Sequence, residues 1–218
     1  NLQYISNNQS KQEEVPLYEK GKLNMYQWFK VNKDEKCYKF LDSNIGYVTL
    51  ANIKAEDIGK IKESFKNTKG IIIDIRNYPS TFVPFVLGSY FVSSSTAFAK
   101  FTFGNIHNPG EFRFTKSLKI PAGKDYYRGK LVVLVNQNSQ SQAEYTAMAF
   151  RSGNNTTIIG STTAGADGNV STIFLPGSLR TMISGIGVYY PNGKETQRIG
   201  IVPDITVNPT IEGIKKGK

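Results

Sequence analysis

The sequence predicts an α/β fold, because strand-like apolar runs alternate along the chain with segments of helical periodicity. Two runs, Ile71–Ile75 and Leu131–Val135, consist almost wholly of Ile, Leu and Val, which is typical of parallel strands buried on both faces of a sheet. Between residues 55 and 66, Ile58, Ile61 and Phe65 recur at helical spacing. A chain of 218 residues can bury a substantial core, either as one large domain or as one domain with an appendage.

The first forty residues are predicted to form a short β appendage that joins the core to another part of the protein. Aromatic residues, the later ones at near-alternate spacing, indicate one or two strands and a turn at Asn32–Glu35; they are Tyr18, Tyr26, Trp28 and Phe29. We therefore divide the chain into this segment (residues 1–40), a core (residues 41–213) and a basic tail (residues 214–218).

The core elements follow in order from Ile45. The predicted elements are a strand at Val48–Leu50, a helix at Ala55–Lys66, a strand at Ile71–Ile75, a helix at Phe82–Val92, a hairpin flap of Phe98–Phe103 and Glu111–Lys116, a strand at Leu131–Val135, a helix at Tyr145–Arg151, and strands at Thr156–Gly160, Val170–Leu175 and Thr181–Tyr189. The strand–helix alternation indicates crossover connections within one sheet.

Composition narrows the classes of function. Cys37 is the only cysteine, so this chain can form neither an internal disulfide nor a cysteine zinc or iron–sulfur site. The formal net charge is +10, but the basic residues are scattered and lack a groove-reading motif, so nucleic-acid binding is not expected. No run approaches the roughly 18 apolar residues of a membrane span, so no membrane span is expected.

Ser141 lies where the apolar run Leu131–Val135 gives way to the helical pattern of Tyr145–Arg151, with Glu144 in the first helical turn. At such a junction a hydroxyl can be exposed at the top of a sheet, where unpaired N–H groups of the first turn can meet a developing oxyanion. Serine is also a favoured helix N-cap, and position alone favours that structural role over a nucleophile.

Residues 42–213 contain several motifs whose order along the chain is more informative than the position of Ser141 alone. They are Ile45–Leu50, the apolar strand that ends in Asp74-Ile75-Arg76-Asn77, the segment Ser139–Glu144, Ile158–Gly165 and Gly200–Asp204. The segment Ser139–Glu144 is similar to a Ser-Ala-Ser-Ala-x-Glu motif with Ser141 as the nucleophile. Together these motifs resemble the S41 family of serine peptidases, which includes the C-terminal-processing (tail-specific) proteases and the core of tricorn protease.

The resemblance implies a ClpP/crotonase-like layered core of mixed sheet and helices, and an endopeptidase that forms an acyl-enzyme on Ser141. It implies no metal or organic cofactor. It implies that the backbone N–H of Gln142 is one oxyanion donor. The other would come from the loop after Asn77, where Ser80 replaces a glycine of the family. Peptide or protein substrates are expected, as unfolded or C-terminal segments laid beside a strand edge. Family members commonly act in a bacterial envelope or outside the cell, so a periplasmic or secreted location is expected.

The sequence does not identify the general base that this interpretation requires. Tail-specific members use a lysine where this chain has Ala166, and the adjacent Asp167 could accept a proton only if something raised its pKa. Tricorn-like members use a histidine from a separate upstream segment. The only histidine here, His107, is either that base or an exposed loop residue. We expect instead that an upstream domain of the same protein supplies the base, and that this chain alone is inactive or nearly so.

Three further features receive supporting or structural roles. Gln197 stands at the position where tricorn-like members have a glutamate that assists the histidine. As a glutamine it could form hydrogen bonds but supplies no charge, so a structural role for Gln197 is equally open. Glu144 is most simply a capping-box carboxylate. Asp74 and Arg76 are expected to form a structural pair at a strand end.

Two other hypotheses stay open from the sequence. A catalytically inactive peptide-binding module on the same fold would explain the missing lysine and the residues Ser80 and Gln197, although the intact Ser141 segment argues against it. An acyl-CoA enzyme of the crotonase type fits the implied fold but has no motif support.

Overall fold

A computed structural model describes residues 1–19, 22 and 35–216, in two compact units that comprise residues 1–30 and 31–218. The described part of the first unit contains an antiparallel hairpin of β1 (Leu2–Ser6) and β2 (Gln9–Glu13), in polar residues for which the sequence predicts no element. Some residues that carry sequence predictions lie outside the described residues: Tyr26, Trp28, Phe29, residues 32–34 of the predicted turn, and residues 217–218 of the basic tail.

The described part of the second unit is an α/β structure, as predicted. In chain order its elements are β3 (Tyr38–Asp42), β4 (Ile45–Thr49), α1 (Asp57–Phe65), β5 (Gly70–Asp74), α2 (Pro84–Gly88), β6 (Thr96–Asn105), β7 (Asn108–Phe114), β8 (Leu118–Ile120), β9 (Lys130–Val135), α3 (Gln142–Arg151), β10 (Thr156–Gly160), β11 (Val170–Leu175), β12 (Leu179–Ser184), β13 (Val188–Tyr189), β14 (Ile205–Thr206) and α4 (Ile211–Lys215). Among the described helices, none combines the length and the apolar character that a membrane crossing requires.

A six-stranded mixed sheet forms the centre of this unit, in the order β14–β10–β9–β5–β4–β3. Neighbouring strands are parallel except β3, which runs antiparallel to β4 at one edge. In the middle, Ile73 of β5 pairs with Val48 of β4 and Val133 of β9, and all three side chains are fully buried. This burial explains why the central strands are so rich in Ile and Val.

Helix α1 is amphipathic, as predicted, and buries Ile58, Ile61 and Phe65. The ring of Phe65 lies directly against β4, so that a β-carbon added at Gly46 would come within 2.6 Å of it. Glycine therefore lets the helix approach the sheet closely enough to bury this ring.

Two predicted elements differ from the structure. The predicted helix Phe82–Val92 is shorter in the structure and comprises only α2. It begins at Pro84, which suits a first helical turn, and it ends at Gly88, after which Tyr90, Phe91 and Val92 are buried in the core. The predicted strand Thr181–Tyr189 is divided by residues 185–187, and its two parts pair with different strands, β11 and β6. An alternating pattern cannot reveal such a change of partner, because every strand has the same period.

Strand β6 lies in a smaller antiparallel sheet with β7, β8 and β13. Its pairing with β7 forms the predicted hairpin flap, and His107 lies in the turn between these two strands. A second hairpin, β11–β12, has all of its residues exposed.

Candidate active site

Ser141 lies beyond the carboxyl end of β9, in the turn that leads into α3. Its backbone has φ 54° and ψ −118°, a conformation that residues other than glycine rarely adopt. A strained strand-to-helix turn of this kind is one way in which a protein exposes a serine hydroxyl at the top of a sheet. An ordinary N-cap residue takes an extended φ instead, so helix capping alone does not explain the geometry.

Buried Ser139 holds this turn against its surroundings. Its hydroxyl donates to the carbonyl of Ile75 at 2.7 Å and accepts from the N–H of Asn136 at 3.1 Å. Its own carbonyl accepts from the N–H of Ala164 at 3.0 Å. The turn that carries Ser141 is thereby tied to the segments that follow β5 and β10, the strands on either side of β9.

Glu144 is wholly buried and accepts four hydrogen bonds. Its Oε2 accepts from the N–H groups of Ser141 at 3.1 Å and Ala166 at 2.9 Å. Its Oε1 accepts from the hydroxyl of Thr163 at 2.5 Å and the N–H of Gly165 at 2.8 Å. The bond to Ser141 N–H is the one expected of a capping-box carboxylate, but the other three join the segment 163–166 to the start of α3. Glu144 therefore holds the turn at Ser141 against the segment 163–166.

The two predicted oxyanion donors have different surroundings. The N–H of Gln142, at the start of α3, has no acceptor in the described chain and is therefore free to bind an oxyanion. The N–H of Ser80 instead donates to the carbonyl of Leu50 at 2.9 Å, and its hydroxyl donates to the carbonyl of Ile53 at 2.6 Å. Both polar groups of Ser80 therefore bind the segment after β4, so the N–H predicted as an oxyanion donor is already occupied in this structure.

A cavity of about 390 Å³, here called the Ser141 cavity, opens beside Ser141. Its other lining residues are Tyr78, Phe82, Phe101, Gln142, Tyr145, Asp167, Gly168, Asn169, Ile186 and Val188. The rings of Phe82 and Phe101 each stack on Tyr145 with centroids 6.0 Å apart. An aromatic and aliphatic wall beside a nucleophile suits an apolar substrate side chain. A larger groove of about 930 Å³ lies elsewhere and contains none of the predicted site residues.

Asp167 lines the Ser141 cavity and is only 4% exposed. Burial raises the pKa of Asp167 to about 7; the N–H of Gly168 opposes this shift and the negative charge of Glu144 adds to it. A carboxyl group that titrates near neutrality in a cleft is typical of a functional site. The sequence placed Asp167 beside the position of the family's lysine, but no local signal revealed its burial or its negative neighbour.

Gln197 and His107 are not brought to Ser141. The side-chain Nε2 of Gln197 donates to the carbonyls of Asp167 and Ile186, both at 2.9 Å, and its Oε1 accepts from the N–H of Val188 at 3.3 Å. Gln197 thus holds the backbone of the segment that carries Asp167, which supports its structural interpretation. His107 is exposed and does not line the Ser141 cavity.

Asp74 and Arg76 form the structural pair that the sequence predicts, with the guanidinium 2.7 Å from the carboxylate. Tyr47 donates a further hydrogen bond to Asp74 at 2.8 Å. Burial alone would raise the pKa of Asp74, but the hydrogen bonds and charge of Arg76 outweigh it and hold the pKa below its ordinary value. Within the described ranges, no three His, Cys, Asp or Glu side chains converge as metal ligands.

Comparisons with known proteins show which family and fold this chain resembles. The family model described as peptidase family S41 matches residues 88–207. A carboxy-terminal-processing protease from Bartonella bacilliformis is 26% identical over 201 residues, which make up 84% of this chain and 43% of that protein. An inferred peptidase from Parabacteroides merdae has a solved structure that is 26% identical, with a TM-score of 0.68 over 83% of this chain and 60% of that one.

The solved structure of the photosystem II D1 C-terminal processing protease is more distant. It is 20% identical, with a TM-score of 0.57 over 79% of this chain and 46% of that one, and so supports the fold alone. The expected S41-type layered α/β core is therefore confirmed. The chain spans less than two thirds of the length of each of these relatives.

Proposed function

This chain belongs to peptidase family S41, and on that premise we propose that residues 41–213 form the catalytic core of a serine endopeptidase. In the proposed reaction, Ser141 Oγ forms a bond to a peptide carbonyl carbon and its proton passes to a base. The carbonyl oxygen becomes an oxyanion, which the free N–H of Gln142 stabilises. The amine then leaves with a proton from the base, and water hydrolyses the acyl-enzyme.

The observation that carries this proposal is the strained backbone of Ser141, because the surrounding structure maintains it through specific bonds. The buried Ser139 and the buried Glu144 both hold the turn, and a strained residue persists only where its surroundings over-determine it. The second oxyanion donor would come from Tyr78, which lines the Ser141 cavity and whose N–H has no acceptor in the described chain.

The proposed substrates are unfolded or C-terminal peptide segments with an apolar side chain near the cleaved bond. The stacked rings of Phe82, Phe101 and Tyr145 would receive that side chain. Main-chain hydrogen bonds along a strand edge would supply most of the affinity. We propose a periplasmic or secreted location, because the resemblance to envelope peptidases points there.

We propose that the general base comes from an N-terminal domain outside these 218 residues, to which residues 1–40 would be the joint. Supporting this, no histidine or lysine is among the residues that line the Ser141 cavity, and His107 lies elsewhere. On this proposal the isolated chain is inactive or nearly so, because a serine hydroxyl without a base is a weak nucleophile.

The lack of a histidine or lysine among the residues that line the Ser141 cavity also favours a second candidate function. This is a peptide-binding module that kept the fold and lost catalytic activity. Such a module would use the Ser141 cavity and a strand edge to bind a peptide without cleaving it. The strained backbone of Ser141 favours the peptidase, since binding alone gives no reason to maintain a serine in this conformation at the turn.

Reaction with a fluorophosphonate probe tests the proposal. The chain and its full-length protein would be labelled, and peptide mapping by mass spectrometry would identify the modified residue. Ser141→Ala is the loss-of-site variant, and Ser161→Ala is the matched control because Ser161 lies outside the cavity. We expect labelling of Ser141 in the full-length protein and little in the chain alone. The absence of labelling in both proteins would overturn the peptidase proposal in favour of the binding module.

A further inference from the structure

Asp167 is a buried carboxylate that lacks a partner for one of its two oxygens. Its Oδ1 accepts the N–H of the next residue, Gly168, at 2.7 Å. Its Oδ2 is buried and has no hydrogen-bond partner in the described part of the chain, and no described cation lies within ion-pair distance of Asp167. A buried charge is ordinarily paired or hydrogen-bonded, so this oxygen needs a donor that the described residues do not supply.

The position of Asp167 relative to Ser141 is set by Glu144. One oxygen of Glu144, Oε2, accepts from both Ser141 N–H at 3.1 Å and Ala166 N–H at 2.9 Å, so these two nitrogens lie within about 6 Å of each other. Asp167 follows Ala166 directly and lines the Ser141 cavity. Because Oδ2 has no partner, Ser141 does not donate to it, although both residues line the same cavity.

Among the described residues, the groups around Asp167 are acidic or neutral, apart from Arg198, which is paired elsewhere. Glu144 and Tyr145 approach from α3, and Tyr190 lies close enough to interact with its charge. Arg198 lines a neighbouring cavity with Asp167, but its guanidinium is mostly exposed and pairs with Glu195 at 3.4 Å. A partner for Asp167 is therefore expected to carry an N–H and to tolerate a positive charge.

We propose that the Ser141 cavity contains a subsite for an imidazole base, with Asp167 Oδ2 accepting the N–H of one ring nitrogen while the other nitrogen faces Ser141 Oγ. This inference rests on the proposed function and names the residue that holds the incoming base. When Ser141 attacks, its proton passes to the second ring nitrogen and the Oγ–carbon bond forms. Asp167 keeps its charge throughout, orients the ring and stabilises the imidazolium.

Asp167 is thus a positioning residue that acts through the base. This assignment differs from the sequence hypothesis for Gln197, whose amide is committed to the backbone at Asp167, Ile186 and Val188. It also explains why a carboxylate is kept without a partner beside the nucleophile. The cationic form of a docked base would return the pKa of Asp167 towards its ordinary range, because an opposite charge favours the ionised carboxylate.

Free imidazole tests the subsite on this chain alone. The rate at which a fluorophosphonate modifies Ser141 would be measured against imidazole concentration at about pH 8, where Asp167 is ionised. We expect the rate to rise about tenfold or more and to saturate. N-methylimidazole is the matched compound, because its neutral ring can take a proton but has no N–H to donate to Asp167. It should give a smaller and non-saturating increase.

Variants separate this inference from the proposed function. Asp167→Asn should lose saturation by imidazole, whereas Asp125→Asn, at an exposed aspartate, should keep it. In Ser141→Ala, imidazole should still raise the melting temperature, and Asp167→Asn should remove that rise. If the melting temperature responds as expected but no protein is ever labelled, the subsite stands and the peptidase proposal fails. Equal responses to imidazole and N-methylimidazole, or an unchanged response in Asp167→Asn, would overturn the subsite.

Discussion

Replacing Asp167 by asparagine should make the stability of the chain less sensitive to pH. In an unfolded chain an aspartate has a pKa of about 3.9, whereas burial raises that of Asp167 to about 7 in the folded state. Between these two values the folded state retains a proton that the unfolded state has lost, so the free energy of unfolding falls as the pH rises. From about pH 5 to pH 8 this one carboxyl group should lower the free energy of unfolding by roughly 2 to 3 kcal/mol.

Urea denaturation followed by circular dichroism at both pH values measures this difference. The wild type and Asp125→Asn should each lose more stability between pH 5 and pH 8 than Asp167→Asn, by the same roughly 2 to 3 kcal/mol. Asp125 is a suitable control because its side chain is exposed. If Asp167→Asn kept the full pH dependence of the wild type, the burial of Asp167 and every argument built on it would be refuted.

Two further substitutions test the positioning of the nucleophile and the packing of the core. Glu144→Gln should lower the free energy of unfolding by about 1 to 3 kcal/mol for each donor left unsatisfied, since one amide oxygen cannot serve four buried donors. It should also suppress labelling of Ser141 in the full-length protein, and a fully stable variant in urea would contradict this reasoning. Gly46→Ala should lower the free energy of unfolding measured in urea by about 1 to 3 kcal/mol, because its β-carbon meets the ring of Phe65. Gly59→Ala, with open space around it in α1, should raise that free energy by about 0.5 to 1 kcal/mol. Equal effects of the two substitutions would contradict the packing argument.

Much of the fold could be read from local pattern. The runs that became β5 and β9 are buried on one face and half-buried over most of the other, so their apolar composition was a direct signal of their central position. The amphipathic spacing of α1 was a similarly local signal, and all three of its predicted core residues are buried. The prediction of one continuous strand at Thr181–Tyr189 was wrong, because the first part pairs with β11 and the second part with β6. The local sequence pattern does not show which strand each part pairs with.

In the candidate site, too, some features follow from local sequence and others depend on contacts between distant residues. The sequence alone identified the family and placed Ser141 at a strand-to-helix junction, because an ordered series of short motifs and a change of hydrophobic period are both properties of neighbouring residues. It could not show that the N–H of Ser80 binds Leu50, since that bond joins residues 30 positions apart.

Only the tertiary structure decided the character of Asp167. Burial beside Glu144, the bonds of Gln197 to the backbone around it, and its place in the Ser141 cavity all come from segments that the fold brings together. The pKa of a carboxyl group depends on the solvent and charges within a few ångströms in space, whatever their distance along the chain. For this protein the sequence therefore determined the family, most of the elements of the core and the position of the candidate serine, and the packing of distant segments decided the electrostatics around it.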